Sequence, residues 1–484
     1  MSSVLADLEP KPIWEYFSGI LQIPRPSKHE EKIQAHLTAW AEGRGFATRK
    51  DDAGNLVVSV PATAGHEDAD TVVLQGHVDM VPEKNSGTEF DFLTDPIQAE
   101  IDGDWVIARD TTLGADNGIG VAMAMAAATE ESVVHGPLEL LFTIDEETGL
   151  TGATDLDPNM LTGRLLMNLD TEEDGAFYIG CAGGQDLHVS FPREGKESAF
   201  DTGYEIVVKG LRGGHSGVDI HENRANAVKL LARLLLAFAN AGIAFDLFQI
   251  NAGSKHNAIP REAFATIGAD SGAGEQMQAV IEEQKAEFLG EFSRIDPDLA
   301  IELASTDLAG QAFADDLRGR LLGAIVSAPH GVLAMSRDVP GLVETSNNVA
   351  VVATEEESIE ITTSTRSSVM PALRAAVKQV KTGFELAGAK TEEFGGYPGW
   401  TPNPDSRLLQ TGRQVFEQIF STPPEVKAIH AGLECGIIGE KFPGMDMISF
   451  GPEIRSPHAP GEKVQISSVA KSWELLTGFL AALA

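Results

Sequence analysis

The run Val72-Val73-Leu74-Gln75-Gly76-His77-Val78-Asp79 constrains this chain more than any other stretch. Thr71 to Leu74 is short, apolar and β-branched, and reads as a buried strand. A glycine stops it, and a histidine and an aspartate follow two residues apart. In extended chain, residues i and i+2 point the same way, so His77 and Asp79 share one side at the strand's end. A neutral imidazole is a good zinc ligand, and a neighbouring carboxylate fixes its orientation and tautomer. An isolated His-x-Asp is more often a loop histidine beside a solvated acid. Here three more apolar strands downstream also end in metal-type ligands.

Leu138 to Ile144 is one of them, running into Asp145-Glu146-Glu147-Thr148-Gly149. Adjacent side chains diverge, so Glu146 and Glu147 serve different roles, and the residues alone leave open which does which. Arg164 to Leu169 is another, ending at Asp170. Met447 to Phe450 opens into Gly451-Pro452-Glu453-Ile454-Arg455-Ser456-Pro457-His458-Ala459-Pro460-Gly461-Glu462, which holds His458 between prolines. Between the first two strands, glycines surround Asp116-Asn117, ahead of an alanine-rich helix from Val121 to about Thr129. A carboxylate at a helix start is favoured by the dipole, as a plain N-cap would be. Strand, acid-bearing loop and helix recur through 70–180. This is α/β organisation, and open α/β sheets bind ligands beyond the carboxyl ends of their strands.

Two histidines and three carboxylates gathered there suit two divalent ions, with one carboxylate shared. Imidazole with carboxylate accommodates zinc, cobalt or manganese. Neither Cys181 nor Cys435 belongs to the set, and no HExxH, GxSxG or P-loop motif is present.

At 484 residues the chain is long for one core and divides into two or three domains. Pro12 to Gly43 reads as helical, Asn55 to Val60 as a strand, and Thr94 to Val106 as containing a hairpin at Asp102-Gly103-Asp104. From about residue 187 the character changes. Tyr204 to Val208 is a strand, Arg212-Gly213-Gly214-His215-Ser216-Gly217 a loop, and Asn223 to Asn240 a helix. Residues 274–322 read as mostly helical. Ser358 to Thr363 is a strand running into Thr365-Arg366-Ser367, and Ala372 to Ala387 a helix. Gly395 to Pro402 reads as a linker, followed by a helix at Ser406 to Phe420 and a short strand at Val426 to His430. The parse is an α/β domain in two pieces, 1–186 and 395–484, interrupted by an inserted domain at 187–394.

The net charge of −36 leaves no basic surplus for phosphates, so nucleic acid is not expected as a partner. No apolar run approaches a membrane span, and Met1 to Pro10 lacks the pattern of a signal peptide. With two cysteines no disulfide framework is built, and a reducing cytoplasm is the expected compartment.

Taken in order, Gly76-His77-Val78-Asp79, Gly114-Ala115-Asp116-Asn117, Asp145-Glu146-Glu147, Asn168-Leu169-Asp170, Gly213-Gly214-His215-Ser216-Gly217, Asn257-Ala258-Ile259-Pro260 and Ser456-Pro457-His458 run across nearly the whole chain. So ordered, the chain resembles the zinc aminopeptidase, aminoacylase and carboxypeptidase family that includes succinyl-diaminopimelate desuccinylase, peptidase T and carnosinase. The resemblance implies a discontinuous zinc-exopeptidase-like catalytic domain, its central sheet flanked by helices, with an inserted α+β lid domain. It implies two zinc ions, one held by His77 and Asp170, the other by Glu147 and His458, with Asp116 bridging. Asp79 would orient His77, and Glu146 would be the general base. A cis peptide is implied at Asp116–Asn117. The implied substrates are dipeptides with a free N-terminus, including Xaa-His such as β-alanyl-histidine. A tripeptide aminopeptidase or an N-acyl-amino-acid deacylase is the alternative within the family, and a non-catalytic amino-acid-binding relative the alternative outside it. His215 is the candidate for oxyanion stabilisation. Arg366, at a strand end, suits bidentate recognition of a carboxylate, and Asn257 would bond the same end. The family's inserted domain also implies a homodimer.

Overall fold

The apolar strands predicted above lie side by side at the centre of an eight-stranded sheet. Its order is Ala47–Lys50, Leu56–Val60, Leu138–Thr143, Val72–His77, Leu165–Asn168, Asp446–Ser449, Ala176–Cys181, Glu425–Ile429. Leu138–Thr143, Val72–His77, Leu165–Asn168 and Asp446–Ser449 run parallel, with His77 level with Thr143 and Ser449 level with Asn168. Their residues are buried almost throughout, which explains their near-continuous apolar sequence. The outer strands turn antiparallel. The computed structural model describes residues 4–484.

The alanine-rich helix, Ala115–Ala127, is buried on every side and packs on Val72–His77. Its start explains a glycine. A Cβ on Gly76 would run into the side-chain oxygen of Asn117, the residue after the cis peptide at Asp116–Asn117. Pro12 to Gly43 is not one helix. It breaks into Lys11–Ile20 and Glu31–Gly43. Pro24 and Pro26 remove N–H donors and restrict their neighbours, so 21–30 runs as loop.

The chain divides into two compact units. The first comprises residues up to Cys181, Trp400–Ala428 and Leu433–Ala484. The second comprises Ala182–Gly399 with Ile429–Gly432. The second is built on a nine-stranded sheet whose main path is Ala300–Thr306, Thr202–Lys209, Ala263–Ala269, Phe245–Ala252, Val343–Thr354, Ser358–Ser367, Gly183–Pro192, Lys390–Tyr397. Gly331–Met335 pairs with Val343–Thr354. Every pairing given for this sheet is antiparallel. The helices Ala227–Asn240 and Met370–Leu386 pack on it. The first unit is thus α/β and the second α+β.

Residues 274–322 are mostly helical, as Gly274–Phe292 and the start of Asp315–Ser327, but between the two helices Ala300–Thr306 adds to the sheet edge along Thr202–Lys209. Gly395-Gly396 is not linker but the tail of Lys390–Tyr397. Its register slips between Phe394 and Tyr397, the kind of irregularity glycines permit in a strand. Gly183–Pro192, its partner, lies wholly in the second unit, and Ile429–Gly432 returns there, a crossing the sequence did not suggest. Among the described residues, no helix is long and apolar enough to cross a membrane.

Candidate metal centre

Four adjacent parallel strands deliver their carboxyl ends to one edge of the first unit. His77 closes its strand, Glu146 and Glu147 follow Thr143, Asp170 follows Asn168, and His458 follows Ser449 in the proline-rich loop. Asp116 reaches the same edge from the start of the buried helix.

Their contacts form two triplets. His77 Nε2 lies 3.0 Å from Asp116 Oδ1 and 3.3 Å from Asp170 Oδ1. His458 Nε2 lies 3.2 Å from Asp116 Oδ2 and 2.9 Å from Glu147 Oε2. In each set, His77/Asp116/Asp170 and Asp116/Glu147/His458, one donor atom per residue falls within 4.8 Å of the others. Asp116 belongs to both, through opposite oxygens. One imidazole nitrogen carries at most one proton, yet each faces two carboxylates. Glu147 Oε1 is buried with no hydrogen-bond partner. Such a set of nitrogen and oxygen donors fits two divalent cations, one per triplet.

Charge and burial shift every member. Burial alone would depress the His77 imidazole, but Asp170, Asp116 and Asp79 outweigh it and hold it well above its usual value. Bonds to Asp116 and Glu147 raise His458 to about 11. Burial pushes Glu147 and Asp170 up. Burial also drives Glu146 well above the carboxylate range, helped by Asp170, Glu434 and Glu147.

Asp79 is wholly buried and does more than its spacing suggested. Oδ1 lies 3.2 Å from His77 Nδ1 and takes the Glu146 N–H at 3.1 Å. Oδ2 takes the Ser27 hydroxyl at 2.8 Å and the Glu147 N–H at 3.3 Å. Against the penalty of burial, these donors hold it at about 2. One carboxylate thus orients the histidine and the turn bearing both glutamates.

Residues the sequence did not single out complete the surroundings. Glu462 accepts the N–H groups of Leu113, Gly114, Ala115 and Asp116. Arg25, buried between Pro24 and Pro26, donates to the carbonyls of Val78 and Asp79 at 2.9 and 2.6 Å, and to that of Gly114. Glu434 takes Gln75 Nε2 at 2.6 Å and the Thr143 hydroxyl at 2.9 Å. Glu172, raised to about 9 by burial and by Asp116, stands beside the cluster. Only the prolines around Arg25 offered a signal. The three glutamates sit in ordinary-looking loops or at a helix start.

His215, Asn257 and Arg366 belong to the second unit. Arg366 is buried in the strand Ser358–Ser367, not a surface arginine. Its Nη1 donates to the Tyr397 hydroxyl at 2.7 Å, and its Nε is buried without a partner. Gly184 stands opposite both Arg366 and Tyr397, and a Cβ there would meet the tyrosine ring at 2.5 Å. His430 Nε2 lies 2.7 Å from Ser346 Oγ, and burial with nearby Arg366 lowers it to about 3. Burial and Arg366 also lower His215, whose Nδ1 accepts the N–H groups of Gly217 and Val218 at 3.2 and 3.0 Å. Asn257 is exposed, and its carbonyl takes the Ser216 N–H at 2.8 Å.

Comparison with known proteins follows the same lines. The model for peptidase family M20/M25/M40 matches residues 73–482. Over 480 residues, 99% of each chain, the sequence is 42% identical to the cytosol non-specific dipeptidase of Escherichia coli (strain K12). The solved aminoacylhistidine dipeptidase from Vibrio alginolyticus is similar with a TM-score of 0.94 at 42% identity, covering 99% of this chain and 98% of that one. Aminopeptidase PepT from Bacillus cereus shares the fold, with a TM-score of 0.58 at 17% identity over 98% of this chain and 99% of that one. On the length of the family match and the identity to these relatives, the chain belongs to peptidase family M20/M25/M40.

Proposed function

We propose that this chain is a two-metal dipeptidase that hydrolyses dipeptides with a free N-terminus, Xaa-His dipeptides such as β-alanyl-histidine among them. One observation carries the reading: Asp116 meets His77 with one oxygen and His458 with the other. A carboxylate so divided suits a bridge between two ions. The dipeptidase relatives, 42% identical over the full length, support the substrate class.

Two divalent ions, zinc in this reading with cobalt or manganese able to substitute, would when bound supply polarisation of the scissile carbonyl and a lowered pKa for water. His77 and Asp170 would hold one, Glu147 and His458 the other. The chain's own residues do the rest. Glu146, its proton affinity raised by burial, takes a proton from water and returns it to the leaving amine. Asp79 fixes the His77 ring and the Glu146–Glu147 turn. Arg366 binds the dipeptide's carboxylate through the guanidinium edge left unengaged at Nε, and Asn257 hydrogen-bonds the same end. His215 donates to the oxygen on which negative charge develops.

In this reading the second unit is a lid and association domain, the chain is a homodimer, and its compartment is the cytoplasm. Sedimentation at micromolar concentration giving a stable single-chain species would remove the dimer. The substrate reading is tested with zinc-loaded protein on β-alanyl-histidine, Gly-Gly-Gly and N-acetyl-methionine. Cleavage of the first is expected. Cleavage of only the tripeptide, or only the acylated compound, would replace the dipeptidase reading with the alternative it names.

A further inference from the structure

Asp116 spends both oxygens on histidines, so its side chain does not anchor its own backbone. The backbone is held elsewhere. Leu113, Gly114, Ala115 and Asp116 present four successive N–H groups at a helix start, where such donors lack intrahelical partners. A single buried carboxylate takes all four. Glu462 Oε2 receives Leu113 and Gly114 at 2.7 and 2.8 Å, and Oε1 receives Ala115 and Asp116 at 2.7 and 3.2 Å.

Glu462 lies four residues after His458 on the same loop. That loop is fastened on the far side as well. The Ala108 N–H reaches the Glu462 carbonyl at 3.2 Å, and the Gly461 N–H reaches the Ala108 carbonyl at 2.9 Å. Lys463–Gln465 then pairs with Trp105–Ile107. The segments carrying Asp116 and His458 are therefore tied twice, once by backbone and once by Glu462. Besides the His458–Asp116 contact within the cluster itself, only the Glu462 tie ends on the residue that the two triplets share, and it does so at the backbone.

We infer that Glu462 is a positioning residue that fixes where the Asp116 carboxylate stands relative to His458, and that metal retention depends on it. The inference rests on the two-metal reading above. Glu462→Gln keeps the shape but replaces one oxygen with an NH₂ group, which then faces two N–H donors. Groups that orient metal ligands from behind typically change metal affinity by about 10–100-fold.

The test titrates zinc out of purified full-length protein with graded chelator, counts ions per chain, and follows circular dichroism on the same samples. The parent should hold two ions; a parent that holds fewer would refute the two-metal reading itself. Glu462→Gln should lose zinc at about 10–100-fold lower chelator strength with its circular dichroism unchanged, and show a lower kcat with little change in KM. Glu462→Asp, which keeps the charge but reaches less far, should fall between. Asp104→Asn loosens another tie in this region, the one to the Ser467 N–H and hydroxyl, and should retain zinc like the parent. Parental zinc affinity in Glu462→Gln would overturn the inference. So would an equal loss in Asp104→Asn, or failure of both Glu462 variants to fold, since either marks Glu462 as mere framework.

Discussion

In the first unit the acids and histidines stand beyond the ends of parallel strands or, for Asp116, at a helix start, and His77 and Asp116 are held by neighbours that are themselves fixed. Asp79 holds His77, and Arg25 and Glu462 hold the loop behind Asp116. In the second unit the candidate residues are built otherwise. Arg366 is buried in an antiparallel strand, whereas His215 and Asn257 sit in or beside glycine-containing loops and Asn257 is exposed. The first arrangement concentrates unlike charges and leaves Glu147 Oε1 without a partner. The second leaves single polar atoms unengaged, such as Arg366 Nε. The difference teaches what each can recognise. A knot of opposed charges suits compact cations, and separated donors suit the ends of an organic molecule. Substitutions in the first should therefore affect kcat and metal content, and those in the second should affect KM.

The largest effect is expected at Glu146. Its carboxylate lies within 4.8 Å of His77 and Glu147 but belongs to neither of the two triplets. Replacing it with Gln removes a proton carrier while leaving both triplets' side chains in place, so kcat should fall by about 10²–10⁴-fold with two ions retained. Steady-state kinetics and metal analysis on one preparation check both halves. Full activity would remove the general-base role, and loss of metal would move Glu146 into the ligand set.

Next comes pH. In the metal-free chain carboxylate neighbours raise both His77 and His458, and His458, at about 11, holds at pH 7 a proton that metal must displace. Metal uptake therefore releases protons, and apparent affinity rises with pH by about tenfold per unit for each proton displaced. Zinc titrations between pH 6 and 8 in lightly buffered solution measure this. Uptake without acidification would mean that the histidines were already neutral.

Arg366 should come third. Its Ala variant should raise KM for dipeptides by about 10–100-fold, the worth of a charge-assisted pair, with kcat held more closely. The same variant should be indifferent on dipeptide amides, which lack the carboxylate. Unchanged KM on free dipeptides would break the comparison on the second unit's side.

How much of this was legible depends on where the signal was local. The parallel strands announced themselves by near-continuous apolar runs ending in ligands, so their edge and the residues on it were readable from Val72, Leu138 and Leu165 onward. The break at Pro24-Arg25-Pro26 was written in the prolines but lost in the helical periodicity on either side. Ala300–Thr306 was missed because an edge strand with exposed polar positions carries little period-two contrast. Glu462, Glu434 and Glu172 were unreadable for a different reason. Each matters through a partner distant in sequence, and among 72 acids nothing local sets such a residue apart.

The smallest effect is expected at Asn257, and it sharpens the comparison most finely. The side chain is exposed, so removing it opens no cavity and leaves no buried donor behind. The bond that holds this turn comes from the backbone carbonyl to the Ser216 N–H, which alanine keeps. In the proposed reading, what Asn257→Ala deletes is one solvent-exposed hydrogen bond to the substrate's carboxylate end, worth about 0.5–1.5 kcal/mol. KM for a dipeptide should rise by about two- to tenfold while kcat and thermal stability stay put. A change in kcat larger than that in KM would mean that Asn257 acts where charge develops, and the division between a unit that reacts and a unit that grips would have to be redrawn at this residue.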